Sequence, residues 1–474
     1  MNAPLPSHAA LIEDLRDLIG PAHVLTEAGD RAPYEQEMRG LFRGDAIAVL
    51  RPGTTAEVAA CVKAAARAGV PVVPQGGNTG MVGGAVARRA LVLALQRLNR
   101  VRDVDPVNLT MTVEAGCLLQ KAQEAAEAAG CLFPLSLGSQ GSCMIGGNLS
   151  TNAGGTAVLR YGNMRELALG LEVVLADGRI WNGLNRLRKD NTGYDLRNLF
   201  IGAEGTLGII TAAVLKMYPR PRSQATAWVG CRSAQDALKL FSRLRHAAGD
   251  TLTAFEFMTQ HILDFVLRHV DTAVRPLADR HVGYVLVELS SPDPASDMPG
   301  RMEALLASAL EDDLIQDAMI AASEAQAKAL WYLRERMADV QAREGGSIKH
   351  DVSVPVSRVA DFLDAANAAC HARLAGIRIC DFGHFGDGNI HFNISQPVGM
   401  DKAAYLALWG EFNRIVHDIV AGLGGSISAE HGIGMLKREE MKRYKDPVAI
   451  DLMRTLKHAL DPGNILNPGK VIPD

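Results

Sequence analysis

Pro74-Gln-Gly-Gly-Asn-Thr-Gly-Met-Val-Gly-Gly84 and Pro134-Leu-Ser-Leu-Gly-Ser-Gln-Gly-Ser-Cys-Met-Ile-Gly-Gly-Asn-Leu-Ser-Thr-Asn-Ala-Gly-Gly155 are two long loops of glycine and short hydroxyl or amide side chains. Where no Cβ intervenes, backbone N–H groups can come close to a ligand. Two such loops following strands can form a nest of amides and hydroxyls around a pyrophosphate. Neither loop is a G-x-G-x-x-G opening a helix with an acid about 20 residues on, so the dinucleotide fingerprint of the doubly wound fold is missing. The Walker loop and the G-x-S-x-G elbow are also missing. Plain turns use glycine too, yet two stretches this long in one half of the chain exceed what turns require.

The loops lie in a region, 45–220, that alternates strand and helix. Residues 46–50 read as a short strand. Thr54-x-x-Glu57 has capping-box spacing, and Val58, Cys61, Val62 and Ala65 follow at helical intervals. Residues 70–73 and 209–214 are apolar strands, and 109–114 alternates as a half-buried strand does. The run 169–175 leads into Asp177-Gly178, a hairpin turn. Tyr218-Pro-Arg-Pro-Arg222 then marks a boundary. Beyond it the predicted helices are 233–247, 252–270, 300–311, 322–343, 357–372, 403–422 and 446–459. Strands are predicted near 284–289, at 347–354 and on both sides of Gly386-Asp387-Gly388-Asn389. This mixed order predicts α+β, in at least two domains. The expected division is 1–44, an N-terminal helical segment; 45–221; 222–422; and a C-terminal segment, 423–474.

Composition narrows the function. At about 150 residues per domain, 474 residues suggest two or three domains. The 48% hydrophobic content excludes a disordered chain, and 46 glycines without a triplet repeat exclude collagen. With 49 basic against 53 acidic residues, net charge −4, there is no positive excess to condense on nucleic acid. The longest apolar runs, such as 207–215, are too short to span a bilayer. Seven cysteines, an odd number without C-x-x-C, read as buried thiols in a reducing compartment. Acids come early at the N-terminus and no basic-then-apolar leader is seen, so the expected location is cytoplasmic.

A second constellation lies late in the chain. Gly383-His-Phe-Gly-Asp-Gly-Asn-Ile-His-Phe-Asn393 and Ser428-Ala-Glu-His-Gly-Ile-Gly434 hold three of the 13 histidines. If Asp387-Gly388 turns a hairpin, His384 and His391 belong to adjoining strands, and His391 and Asn393 share a face because side chains alternate. Two imidazoles and one carboxylate form the ligand set of a catalytic divalent metal, with Glu430 the obvious carboxylate. Zn²⁺ suits two nitrogens and one oxygen, with Mn²⁺ or Co²⁺ still open. His431 is then free for proton transfer, and His350 reads as structural.

The two loops, with Asn191-Thr-Gly-Tyr-Asp195 and Gly202-Ala-Glu-Gly-Thr-Leu-Gly-Ile-Ile210, resemble the FAD-binding domain of the vanillyl-alcohol oxidase and p-cresol methylhydroxylase superfamily. The second half resembles the C-terminal domain of FAD-linked D-lactate and D-2-hydroxyglutarate dehydrogenases. The resemblance implies a two-subdomain FAD-binding domain and an α+β substrate, or cap, domain with an antiparallel sheet. It implies that Pro74, Gly76, Gly77, Asn78, Thr79 and Gly80 bind the cofactor. From the second loop it adds Pro134, Gly138, Ser139, Ser142, Gly146, Gly147, Asn148, Thr151, Asn152 and Gly155. Glu204, Gly205, Gly208 and Ile210 are expected near the adenine or the isoalloxazine edge, and Asn467 of the terminal Asn-Pro-Gly-Lys returns to the flavin. Some members attach FAD through a His in the first loop; here the loop has Asn78 and no His or Cys, so the flavin is expected to be non-covalent.

The resemblance also makes His384, His391 and Glu430 the metal ligands and His431 the catalytic base. Arg334, Lys349 and Asn393 become the substrate-binding residues. The implied reaction is FAD- and metal-dependent oxidation of a D-2-hydroxy acid to the 2-oxo acid by hydride transfer to flavin N5, with D-2-hydroxyglutarate favoured. The D-2-hydroxyglutarate enzymes carry a Thr one turn after the Arg. This chain has Ala338, so D-lactate stays open as substrate. A metal-dependent hydrolase is the alternative from another class. No motif encodes the electron acceptor, be it a quinone, an electron-transfer flavoprotein or a cytochrome, and a homodimer is compatible with the family.

Overall fold

The computed structural model describes residues 8–474; residues 1–7 of the expected N-terminal segment lie outside the described residues. The chain divides into two compact units. One comprises the described residues up to Gly154, then Gly162–Arg220 and Glu430–Asp474; the other comprises Gly155–Tyr161 and Pro221–Ala429. Among the described residues no helix is long and apolar enough to cross a membrane.

The first unit holds two larger sheets and a two-stranded pair of Cys131–Leu132 with Tyr218–Pro219. Strands β1 (Val24–Leu25), β2 (Ala48–Leu50), β3 (Val72–Gln75) and β4 (Leu91–Ala94) form a sheet of order β1-β2-β4-β3, with β4 parallel to both β2 and β3. Pro74 is tolerated because β3 is an edge strand, where a missing N–H costs no ladder bond. Helix α1 (His8–Ile19) and helix α2 (Thr55–Ala68) share one apolar core with this sheet, α1 through Leu11, Ile12, Leu15 and Ile19. Thr54 starts α2 by accepting the Glu57 N–H, while the Glu57 carboxylate accepts the Gly53 N–H at 2.7 Å. Gly69, at φ +65°, ends it.

The other sheet is antiparallel: β5 (Val101–Asp105), β6 (Thr110–Glu114), β7 (Ala168–Val174), β8 (Ile180–Gly183) and β9 (Ile209–Lys216), in the order β5-β6-β9-β7-β8. The Asp177-Gly178 turn joins β7 to β8, with Gly178 at φ +81°. Strand β6 departs from expectation. It lies between β5 and β9 and all five of its residues are buried, not every second one.

The second unit is one seven-stranded antiparallel sheet with helices on both faces. Its strands are β10 (Ser223–Cys231), β11 (Leu252–Thr259), β12 (Gly283–Ser291), β13 (Asp317–Ile320), β14 (Ser347–Ser353), β15 (Arg378–Gly383) and β16 (Asn389–Ser395). Their order is β13-β10-β12-β11-β15-β16-β14. The helix expected over 252–270 is wrong in its first half. Residues 252–259 form β11, and only Gln260–His269 is helical, as α4. The β-branched and aromatic run pairs with strands on both sides, and that pairing overrides a helical spacing.

Alternation along these strands sorts the two faces. Val285, Val287, Leu289, Phe255, Phe257, Ile379, Ile390, Phe392, Ile394, Ile348 and Val352 pack under helices Ala234–Ala248, Met298–Glu311, Val359–Arg373 and Trp409–Gly422. Each such side chain contributes about 1.5–3 kcal/mol on burial. On the opposite face, Trp228, Tyr284, Leu286, Met258, Cys380 and Phe382 pack against α4 and α5 (Glu324–Val340). Toward β16 and β14 the same face turns polar, and the late histidine motif lies there.

Candidate active site

In the first unit the two glycine loops meet. A Cβ on Gly77 would run into the Ser142 carbonyl and stand 3.1 Å from Cys143 Cα, so only glycine fits. A Cβ on Gly146 would lie 2.7 Å from Ala115 Cβ, whereas one on Gly80, Gly138 or Gly147 would meet no protein atom within 4 Å. The loops are thus pressed together at some glycines and open at others, which is the form of a cradle for a ligand's backbone-close groups. Gln75 closes the base of the first loop, its amide donating to Tyr34 O and Ala85 O at 3.0 and 3.2 Å. Asn78, at φ +53°, donates to Gln36 O at 2.9 Å.

Several polar residues of the second loop shape it from within. Thr151 donates to Gly147 O at 3.1 Å, Ser142 to Ser139 O at 3.2 Å and Asn148 to Cys143 Sγ at 3.6 Å, while Asn152 accepts the Arg165 N–H at 2.9 Å. Gly155 opens the short segment that belongs to the second unit. Gly208 fits a packing position: a Cβ there would collide with Val173 and Phe200, and Ile210 is buried in β9.

Glu204 does something sequence reasoning did not supply. Its carboxylate accepts the N–H groups of Ile433 and Gly434 at 2.7 and 2.9 Å, clamping the loop that follows Glu430 and His431. Met435 and Leu436 donate to Val82 O at 2.9 and 3.1 Å, so this loop also rests on the end of the first glycine loop. Burial pushes the Glu204 carboxyl up to about 6, against the pull of those N–H groups and of Lys437 and Lys470. Asn467, 1% exposed, donates to Gly84 O and Glu204 O at 2.9 and 2.7 Å. Its Oδ1 is buried with no protein partner. An orphaned acceptor beside a glycine cradle fits FAD, whose ring system offers polar N–H and whose pyrophosphate needs backbone donors.

In the second unit the cross-strand register aligns the candidate residues. His391 on β16 stands opposite Asp351 on β14 and Phe382 on β15, and Asn393 stands opposite Lys349 and Cys380. All six face the same side of the sheet. Gly388, at φ +88°, turns the loop between β15 and β16, and His384 is its first residue, one past the end of β15. The His384 and His391 rings are 5.6 Å apart, near perpendicular. His391 Nδ1 is 3.8 Å from Asp351 Oδ1, beyond hydrogen-bond range. Lys349 Nζ donates to Ala338 O on α5 at 3.1 Å, and Arg334 of the same helix stacks over Phe382 at 4.8 Å. His350 faces the other side, its Nδ1 on Phe392 O at 2.8 Å, as a structural residue does.

At the centre of this group lies Glu256 of β11, which sequence reasoning missed. Its Oε1 is 2.8 Å from His384 Nδ1, and its Oε2 accepts Arg334 Nε at 2.8 Å. Arg334 Nη2 is 2.7 Å from the same oxygen, an ion-pair contact outside hydrogen-bond geometry. Burial alone would raise the Glu256 pKa, but the charges of His384 and Arg334 prevail and hold it below the usual carboxylate range. An ionised carboxylate only accepts, so His384 Nδ1 carries the proton of that bond, and it is Nε2 that bares a lone pair when the ring gives up its second proton. That donor chemistry fits a divalent metal. The acid of a strand mistaken for a helix carried no signal that could have revealed it.

Residues 46–183 match the FAD binding domain and residues 220–471 match the C-terminal domain of FAD linked oxidases. p-Cresol methylhydroxylase superposes with a TM-score of 0.78 at 17% identity, over 98% of this chain and 97% of that one. Alkyldihydroxyacetonephosphate synthase gives 0.72 at 17% identity, over 98% and 86%. The fold is therefore that of the vanillyl-alcohol oxidase and p-cresol methylhydroxylase class of flavoproteins. Bos taurus mitochondrial D-2-hydroxyglutarate dehydrogenase is 39% identical over 472 residues, 99% of this chain and 85% of the relative. The Xanthomonas citri pv. viticola D-2-hydroxyglutarate dehydrogenase is 38% identical over 461 residues, 97% and 96%. The chain belongs to the D-2-hydroxyglutarate dehydrogenase family of FAD-linked oxidoreductases.

Proposed function

We propose that this protein oxidises a D-2-hydroxy acid to the 2-oxo acid, with D-2-hydroxyglutarate as the favoured substrate. The observation that carries the reading is the polar face in the second unit on which Asn393 stands opposite Lys349 and two residues along its strand from His391, with Glu256 joining Arg334 to His384. Its two cations suit a dianionic acid, and an Arg fork with a Lys point charge is the usual way to hold carboxylates.

FAD, held by the glycine cradle and Asn467, supplies when bound the acceptor for the C2 hydrogen and its electron pair. A divalent cation, Zn²⁺ by ligand type, would be held by His384, His391 and Glu430 and would make a nearby hydroxyl more acidic. Arg334 and Lys349 bind the carboxylates and so orient C2. Asn393 donates to or accepts from the oxygen at C2. His431 takes the hydroxyl proton on a ring nitrogen, since imidazole is the side chain whose ordinary pKa is close to neutrality. The Glu204 clamp on Ile433 and Gly434 keeps the loop carrying His431 in place. Ala338 offers no hydroxyl to a distal carboxylate and favours D-lactate as the second reading; its carbonyl accepts from Lys349.

Anaerobic titration of the purified yellow protein tests the proposal. D-2-hydroxyglutarate should bleach the flavin band stoichiometrically and L-2-hydroxyglutarate should not. Bleaching by D-lactate at lower concentration would transfer the assignment to the shorter acid, and no bleaching by any D-2-hydroxy acid would end it.

A further inference from the structure

Glu256 is 1% exposed, in the middle strand of the seven-stranded sheet, and its carboxylate divides between two partners from distant parts of the chain. We propose that Glu256 is a positioning residue that aligns the two halves of the substrate site at once. Its Oε1 locks the His384 ring with the proton on Nδ1 and the lone pair on Nε2. Its Oε2 commits the Nε edge of Arg334 and leaves the Nη1 donors for a substrate carboxylate. The inference rests on the reading above, in which His384 is a metal ligand and Arg334 an anchor for substrate.

Three observations support it. The bonds are short and separate, 2.8 Å to each partner, one per oxygen. Arg334 is itself 6% exposed, with its guanidinium carbon 4.8 Å from the Phe382 ring centroid, so the carboxylate and the ring together restrict its fork. Stability does not account for the arrangement, because buried ionic groups of this kind can be exchanged for apolar side chains at little or no cost. Glu288, a half-buried acid on this face, makes the contrast. It is held by the neutral donors Trp331 Nε1 at 2.9 Å and Thr226 Oγ1 at 3.3 Å. Neither donor is a predicted site residue. A ligating His whose second nitrogen donates to a carboxylate is fixed in tautomer and ring plane, and it is a more basic ligand.

Glu256→Gln tests the proposal, because an amide has one acceptor oxygen and cannot accept from both His384 Nδ1–H and Arg334 Nε–H. In the FAD-loaded protein, Zn²⁺ affinity measured by competition with a chromogenic chelator should fall about 10–100-fold. Affinity for D-2-hydroxyglutarate, read from perturbation of the flavin spectrum, should fall as well, with FAD content unchanged. Arg334→Met leaves the Glu256–His384 bond in place, so it should lose substrate affinity and keep Zn²⁺ affinity. Wild-type Zn²⁺ affinity in Glu256→Gln, or a loss limited to one of its two ligands, overturns the proposal. If circular dichroism shows that the Gln variant is unfolded, Glu256→Asp decides. It keeps the charge but is one methylene too short for both partners, and wild-type values for both ligands in it overturn the proposal equally. A wild-type protein that takes up no Zn²⁺ refutes the metal reading itself and the inference with it, whereas Zn²⁺ uptake by the wild type and unchanged uptake by the variants refutes the inference alone.

Discussion

Gly146 and Gly147 are adjacent in helix α3 (Ile145–Ser150), yet the structure assigns them opposite consequences on substitution. A Cβ at Gly146 would stand 2.7 Å from Ala115 Cβ, 3.1 Å from Ala115 O and 3.3 Å from Ala115 Cα. Carbon atoms in contact prefer about 3.5–4.0 Å, so helix and strand end must part by on the order of 1 Å. Ala115 cannot yield easily: its N–H is bonded to Thr211 O and its carbonyl to the Gly146 N–H. Overpacking of this kind costs about 1–3 kcal/mol, from which the helix preference of Ala over Gly returns up to about 1 kcal/mol. A mid-range cost of about 2 kcal/mol less that return leaves about 1–2 kcal/mol, and at roughly 2–4 °C per kcal/mol Gly146→Ala should melt about 2–8 °C below wild type in flavin-free protein. Gly147→Ala meets no protein atom within 4 Å, so flavin-free protein should melt at the wild-type temperature or slightly above it. Its methyl instead enters the cradle, and FAD affinity, measured by quenching of flavin fluorescence, should weaken about 5- to 150-fold. Gly147→Ala with wild-type FAD affinity, or Gly146→Ala with wild-type melting, would refute the division of the loop into packing and ligand-facing glycines.

Acid precipitation should release all the yellow colour, because the first glycine loop holds no His or Cys that could tether FAD; colour retained in the pellet would show a covalent link. His431→Ala should stay yellow and resist reduction by substrate in stopped-flow absorbance, and undiminished reduction would remove His431 from proton transfer. Lys470 is buried, and burial with the Arg88 charge lowers its pKa to about 8 despite the pull of Glu204. The folded protein therefore disfavours the ammonium. The penalty, on the order of 1–3 kcal/mol, is fully present below about pH 8 and gone above the unfolded value near 10.4. Lys470→Met should raise the melting temperature at pH 7, with the gain shrinking between pH 8 and 10.5; a gain independent of pH would show that the charge is not its origin.

Local features of the sequence were legible where backbone geometry demands particular residues. The capped helix α2, the Asp177-Gly178 hairpin and the turn carrying Gly388 all formed as predicted, because caps and positive-φ turns are specified within a few residues. Legibility failed at 252–259 and at β6. Whether an apolar run becomes helix or strand, and whether one or both faces are covered, depends on neighbours far along the chain. The same limit hid the carboxylate of Glu256, whose partners lie 78 and 128 residues away.

The sequence by itself determined the two glycine loops, the pair of histidines around a turn and the Asn at position 78, since each is a matter of residue type and short spacing. Only the tertiary structure decided which glycines are packed and which are open, that Glu204 clamps the loop beyond His431, and that one buried acid joins His384 to Arg334. The reason is physical. Short-range chemistry is written in adjacent residues, whereas the sharing of a carboxylate between an imidazole and a guanidinium exists only after folding has brought three separate segments to a common face.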